Sequence, residues 1–386
     1  MKILLLSFEF PPQAGGIGTY SYQMANHFHR AGHQVTVLAI THYFKWDEIV
    51  HFDQEQKFEI IRFKKQKLYI LDVLHRIFKS IHSIYRHKFD IIFITHYAAA
   101  IIGFLAKIVF HIPFVLVGHG TEYLLHNIVR FKITKYFHQY CELLIVNSDY
   151  TCHLVRKRNI KVAKIEVIPL GADDEVFNEN MITLPFLKSE LTLSDKFVLL
   201  TVGSLSARKD HSTVFKALSL LINKYSNLHY LVIGTGPLKL KLETEVRQLG
   251  LEKHVSFLGH KTTKELPNYY NCCDLFILNS TIDEVGDTEG FGIVLIEANL
   301  MKKAVIGTKN SGMVEAIEDG KSGILIEMNN PGATADAIEK IYNNDTYRIE
   351  LGKYGYERAI RYFTWNKTAS RTIQCLENIL QNGVRS

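Results

Sequence analysis

At 386 residues, 47% of them hydrophobic and 22% charged, the chain is longer than one core usually supports and lies within the globular range, so two domains are expected. Residues 1–180 hold 21 lysines and arginines against 16 acids and so supply about five of the six net positive charges; no base-reading motif accompanies them, and no nucleic-acid partner is expected. Five cysteines (Cys141, Cys152, Cys272, Cys273, Cys375) show no CxxC spacing, which predicts free thiols in a reducing, cytoplasmic setting.

The chain opens on KILLLS (2–7), a strand's length of apolar residues that soon turns to proline, without the long apolar core and small-residue cleavage site of an export signal. The loop FEFPPQAGGIGTY follows, with Gly15, Gly16 and Gly18 before a helix starting near Thr19. Glycines there admit either a close ligand or a plain tight turn. A dinucleotide fingerprint fails twice: Ser21 stands where its third small residue belongs, and the second strand, 35–40 (VTVLAI), ends without an acid. From Lys57 to Lys88, basic residues (Arg62, Lys64, Lys65, Lys67, Arg76, Lys79, Arg86) alternate with apolar ones such as Leu68, Tyr69, Ile70, Leu74 and Phe78. That pattern suits either an anionic lipid surface or a solvated helix face. Strand 90–95 comes next. The window Tyr97–Val117 is apolar but carries Lys107, His111 and Pro113, so it predicts a buried helix and a strand (114–118), not a membrane span; membrane contact is expected to be peripheral at most. That strand runs into VGHGTE, with His119 at its end, and 143–147 (LLIVN) completes the first set.

Past the turn-rich Pro169–Pro185, where Asp173-Asp174-Glu175 reads as a solvated loop, the pattern restarts with 197–203. Arg208 and Lys209, in VGSLSARKDH, then precede a helix starting near His211; two cations and a helix N-terminus suit a diphosphate, or decorate a surface. Strands 229–234 and 254–258 follow, the second leading into SFLGH. After 274–279 the polar loop STIDEVGDT gives way to EGFGIVLIE, which predicts a helix from Gly290 to about Leu300, apolar nearly all round and therefore buried. Glu297 on it needs a hydrogen-bonding partner such as a ribose diol, and Glu289 at its entrance lies within roughly 9–12 Å of Glu297, near the span of a sugar diphosphate. Strands 303–306 and 323–326 and a helix from about Thr364 to Leu380 close the chain. Short continuous apolar runs separated by helix lengths predict an α/β protein with two doubly wound parallel sheets, whose ligands lie beyond the carboxyl ends of the strands. No HExxH, Cys/His cluster or paired-aspartate site marks a metal centre.

The glycine loop, VGSLSARKDH and the Glu289–Glu297 segment, with VGHGTE and SFLGH, resemble the retaining glycosyltransferases of family 4. GTKNSGMVEAIEDGKSGILIE from Gly307, IPLGADDEVF and YFTWNKTA extend the resemblance over nearly the whole chain. It implies the GT-B fold, two Rossmann-like domains facing across a cleft: an acceptor-binding domain at 1–180, a nucleotide-sugar-binding domain at 195–360, and a C-terminal helix at 361–386 crossing back to the first. It further implies that Gly15 and Gly16 lie against the donor phosphate, that Lys209 neutralises the diphosphate, and that Glu289 binds the sugar hydroxyls. Gly290, Phe291 and Gly292 offer backbone to phosphate, Glu297 holds the ribose, Gly259 flanks the base and His119 sits beneath the transferred sugar. Many members carry arginine where this chain has Ser204, so Arg208 is expected to take that charge. The implied activity is metal-independent, needs no cofactor, and transfers a hexose from GDP-mannose or a UDP-sugar to a glycan or lipid-linked acceptor with retention at the anomeric carbon. A sugar-nucleotide epimerase and a catalytically silent binding member share the architecture and remain alternatives.

Overall fold

The computed structural model describes residues 1–12, 15–41, 45–64, 68–124, 127–283, 286 and 288–383. Among these residues the chain divides by its internal contacts into two units. Unit 1 is Met1–Pro169 with the segment from Trp365 onward, and unit 2 is Leu170–Thr364.

Unit 1 holds seven strands: β1 Lys2–Ser7, β2 Gln34–Thr41, β3 Glu59–Lys64, β4 Ile91–Ile94, β5 Phe114–Gly118, β6 Leu143–Val146 and β7 Ile165–Val167. They form one sheet in the order β3-β2-β1-β4-β5-β6-β7, every pairing parallel. The central strands β4, β5 and β6 are buried at every position, as sheets covered by helices on both faces require. Both strands absent from the sequence pattern lie at the sheet's edges. β3 is interrupted by Arg62, whose guanidinium bonds Asp53, and β7 has three residues, all partly exposed. Edge strands are solvated along one side and lose the continuous apolar signature.

The opening helix, Gly16–Arg30, buries Tyr20, Met24 and Phe28 at four-residue spacing. Against it lies the final helix, Trp365–Gly383, whose Trp365 ring meets Tyr20 at 5.9 Å. Thr368 Oγ1 donates to Pro169 O (2.9 Å) and Arg371 Nη2 to Val167 O (2.9 Å), so this helix is an integral layer of unit 1.

Unit 2 holds β8 Phe197–Val202, β9 Leu228–Ile233, β10 Val255–Gly259, β11 Leu275–Leu278, β12 Ala304–Thr308 and β13 Gly323–Ile326, in the order β10-β9-β8-β11-β12-β13, again parallel throughout. At its limits Ala172 N donates to Phe363 O (2.8 Å), which ties the first residues of the unit to its last. Both units are thus doubly wound α/β domains. All five cysteines are free, and no described helix is long and apolar enough to cross a membrane.

Candidate active site

In unit 2 the loops after β8 and β11 converge. After β8 the chain turns through Gly203–Ser206 into a single 3-10 turn, Ala207–Lys209, and Asp210 (φ +39°) caps the helix His211–Leu221 by accepting from Thr213 N (3.4 Å). This turn aims Arg208 and Lys209 at Glu289. Arg208 Nη1 bonds Glu289 Oε2 at 3.0 Å, and Lys209 Nζ bonds the same oxygen. Side chains of Lys209 and Glu289 are 10% and 13% exposed. Burial alone drives the Glu289 carboxyl upward, but the Lys209 and Arg208 charges outweigh it and hold the group down at about 2. Ser204 Oγ, by contrast, lies 3.1 Å from Ser206 Oγ, and Arg208 stands beside Lys209 as the second cation on Glu289.

Glu289 is itself pinned. Its N–H donates to Ser280 Oγ (3.2 Å) and its carbonyl accepts from Gly312 N (2.8 Å). Gly312 fits because it has no side chain: a Cβ there would lie 1.8 Å from Gly290 O. Gly292 has φ +85° and caps the next helix, which starts at Ile293 and ends at Leu300. The sequence pattern starts that helix at Gly290. A left-handed residue cannot lie inside a right-handed helix, so the start is delayed by three residues. Glu289 therefore sits on a turn before the helix, and the two glutamates do not share one rigid rod. Phe291 is buried, its ring 5.6 Å from that of Phe363.

Glu297 lies in the second turn of the helix, where its carboxyl accepts a 2.7 Å bond from Tyr270 OH. Burial raises it to about 7 despite that bond, with the Asp173 charge adding to the rise. It therefore exchanges a proton near neutrality. Gly259 ends β10 at φ +68° with nothing within 4 Å of the place a Cβ would occupy, and its carbonyl accepts from Gly234 N (2.8 Å). Asp287, in the loop before Glu289, lies outside the described residues.

Unit 1 carries the other candidates. Gly15 caps the opening helix, and a Cβ there would lie 2.8 Å from Glu9 Oε2; at Gly16 it would meet nothing within 4 Å. The absence of a side chain at Gly16 thus answers no demand from the protein around it. Ser21 explains why the helix departs from a dinucleotide fingerprint: its hydroxyl joins Ser7 Oγ (2.9 Å), Thr95 Oγ1 (2.7 Å) and Ile17 O (2.7 Å), clamping the helix to the ends of β1 and β4. His119 follows β5. Its Nε2–H donates to Thr95 O (3.0 Å), which leaves Nδ1 as an acceptor, and Glu122 Oε1 accepts from its backbone N–H (2.8 Å). Burial pushes the imidazole down to about 4, so it is neutral at physiological pH.

Comparison with known families completes the assignment. Residues 14–176 match the model of Glycosyltransferase Family 4, and residues 185–358 match that of Glycosyl transferases group 1. Together the two models span most of the chain, which belongs to the glycosyltransferases they describe. Along 383 residues the glycosyltransferase is 23% identical to a GDP-mannose-dependent alpha-(1-6)-phosphatidylinositol monomannoside mannosyltransferase of Mycobacterium tuberculosis, covering 96% of each chain. It is 29% identical to a D-inositol 3-phosphate glycosyltransferase of Corynebacterium urealyticum over 249 residues, which are 62% of this chain and 57% of that one. In fold it matches the crystal structure of Anabaena HepE in complex with UDP, with TM-score 0.81 at 20% identity over 98% of this chain and all of the other, which makes the fold GT-B.

Several residues of the glycosyltransferase's site escape sequence reasoning. Tyr270 supplies the partner that a buried Glu297 demands, yet nothing near Tyr270 in sequence announces it. Gly234 (φ +143°), whose Cβ would lie 1.8 Å from Gly203 O, sets β9's loop on the one that carries Lys209; the Gly234-Thr235-Gly236 repeat after an apolar run was the available signal.

Proposed function

We propose that the enzyme transfers a hexose from a nucleoside diphosphate sugar, GDP-mannose or a UDP-hexose, to a glycan or lipid-linked acceptor, with retention and without metal. The convergence of Lys209 and Arg208 on the buried carboxylate of Glu289 carries this reading. Two cations beside a glycine turn suit a diphosphate. When the donor binds, they turn from Glu289 to its phosphates, and the ionised Glu289 accepts hydrogen bonds from the sugar hydroxyls. Glu297 accepts from the ribose diol, and Gly259 flanks the base.

In the step itself the acceptor oxygen attacks the anomeric carbon on the face that the diphosphate leaves. The bond from that carbon to the phosphate oxygen breaks, and the acceptor's proton passes to the departing phosphate. No enzymic nucleophile takes part. Lys209 and Arg208 stabilise the charge that grows on the leaving group, the term that usually dominates such reactions.

The donor preference follows two relatives that differ: the mycobacterial protein is named for GDP-mannose, and HepE was also solved with UDP-glucose. Thermal-shift screening against GDP-, UDP- and ADP-sugars separates them, because a ligand at a hundred times its dissociation constant adds about 2.7 kcal/mol. Lys209→Ala and Glu289→Ala are each expected to lower turnover about a hundredfold or more with the fold retained. Near-normal turnover in either overturns the assignment, and donor consumed without an acceptor points to an epimerase.

A further inference from the structure

Lys209 and Glu289 stand on loops that follow strands, at the carboxyl end of unit 2's sheet. At the opposite end, where β11 and β12 begin, a cavity of about 450 Å³ opens between Asp274, residues 302–304 and one face of the helix Asp345–Tyr362. Its lining carries four cations, Lys302, Lys303, Arg348 and Lys353, against two acids, Asp274 and Glu357.

Close packing holds the cations together. The helix Ile293–Leu300 gives way at Met301, and Lys302 takes left-handed backbone (φ +56°) to turn the chain into β12. Gly352 lets the later helix press on that turn, since a Cβ there would lie 2.1 Å from Lys302 O. Lys302 Nζ lies 5.5 Å over the Tyr356 ring, and Lys303 Nζ donates to Asn271 O (3.1 Å). Glycine and asparagine take the left-handed conformation more readily than lysine does. One lysine suits the negative end of a helix, but two in succession, faced by Arg348 and Lys353, exceed what that end calls for.

The acids nearby leave this charge only partly met. Asp274 is already engaged, its Oδ2 accepting from Lys188 Nζ (2.9 Å) and Val198 N (2.8 Å) while Arg348 stands 3.9 Å from its Oδ1. Lys302 and Arg348 meet Glu179 and Asp345 at 2.9 Å each, but the side chains of those two acids are 65% and 75% exposed, and pairs so exposed contribute little and exchange readily. Arg348 Nε is buried without an acceptor, and Lys303 bonds only a neutral carbonyl. Lys353 is exposed beside them. Lysines and an arginine converging on a concave site suit phosphate. The space matches that of small organic ligands, which is more than a bare phosphate fills.

We propose that this cavity binds a small phosphate ester, its phosphate held by Lys302, Lys303 and Lys353 and its organic part laid against Tyr356 and Ile349. The site is separate from the one described above and does not depend on the donor reading. Isothermal titration of the full chain with ribose 5-phosphate tests it, with ribose and inorganic phosphate as comparisons. Ribose 5-phosphate is expected to bind more tightly than either, and to bind the Lys209→Ala variant as well as the parent. Lys353→Ala changes an exposed helix position, and Lys302→Asn keeps a residue that tolerates left-handed backbone. Each is expected to lower affinity about tenfold with the unfolding temperature retained, and Lys353→Arg to restore it. Glu357→Gln removes a negative charge from the lining and should tighten binding.

Affinity unchanged in both lysine variants overturns the proposal, as does ribose binding as well as its phosphate. Loss of binding in Lys209→Ala would assign the ester to the cations on Glu289 instead. Inorganic phosphate binding as tightly as ribose 5-phosphate would reduce the cavity to a bare anion site and defeat the ester. Should a lysine variant fail to fold, an affinity that Glu357→Gln leaves unmoved is the overturning result.

Discussion

Replacing Glu289 with glutamine removes the shared counter-charge of two cations, one of which, Lys209, is only 10% exposed. The carboxyl lies at about 2 against an ordinary value of 4.5, a difference of about 2.5 units. At 1.36 kcal/mol per unit this is about 3 kcal/mol, the scale expected when one partner of a buried ion pair is removed. A depressed carboxyl stabilises the fold above pH 4.5 and loses that contribution as pH falls through 2, so the full effect is present at pH 7. For a domain of unit 2's size it lowers the unfolding temperature by roughly 6–12 °C. Calorimetry of Glu289→Gln at pH 7 without nucleotide measures this directly. On the proposed function GDP or UDP would return negative charge to Lys209 and Arg208, so the nucleotide should raise the variant's unfolding temperature by more than the parent's, even as sugar transfer collapses. A variant that melts with the parent, or an equal nucleotide shift in both, would show that the cations are not neutralised by Glu289.

Glu297, raised to about 7, contributes stability below pH 4.5 that is lost as pH rises through 7. Glu297→Gln should therefore melt higher than the parent at pH 8, and donor affinity by titration calorimetry is expected to strengthen from pH 6 to pH 8 in the parent and to stay flat in the variant. Ser21→Ala leaves Ser7 and Thr95 short of a partner in a buried site and should cost about 1–3 kcal/mol in urea unfolding; no loss would show the hydroxyl clamp to be idle. Burial holds His119, His138 and His211 at about 4 each. Depressed histidines stabilise the fold above pH 6.5 and lose that contribution as pH falls through 4, so the urea midpoint should drop between pH 7 and pH 4.5, and an unchanged midpoint contradicts their neutral burial.

Central strands were legible because their residues had no choice of surroundings. FVLVG and LLIV are buried at every position, and a continuous run of branched and aromatic side chains is what such a strand must be. β3 and β7 were illegible for the opposite reason, since each mixes ion-pairing residues such as Arg62 and Glu166 into an edge. In the site, local motifs pointed to Arg208, Lys209, Glu289 and Glu297 one by one, because cations before a helix and acids in an apolar run are anomalies within a short window. Their pairing was not visible. Lys209 and Glu289 are 80 residues apart, and only the turns fixed by Asp210, Gly312 and Gly292 bring them to one oxygen. The helix boundary failed at Gly292 for a related reason: its composition permits a helix, while its left-handed backbone, packed against Met313 and Leu278, forbids one.

Unit 1 is assembled from two separated stretches of chain, and unit 2 from a single stretch between them. During translation the seven-strand sheet emerges first, yet Tyr20 cannot receive Trp365, nor Pro169 its bond from Thr368, until every residue of unit 2 has been made. The domain begun first is thus finished last, reversing the usual N-terminal-first order of folding on the ribosome. Nascent chains stalled before Trp365 should carry a mature unit 2 joined to an unfinished unit 1, which leaves unit 1 open to chaperones in the interval.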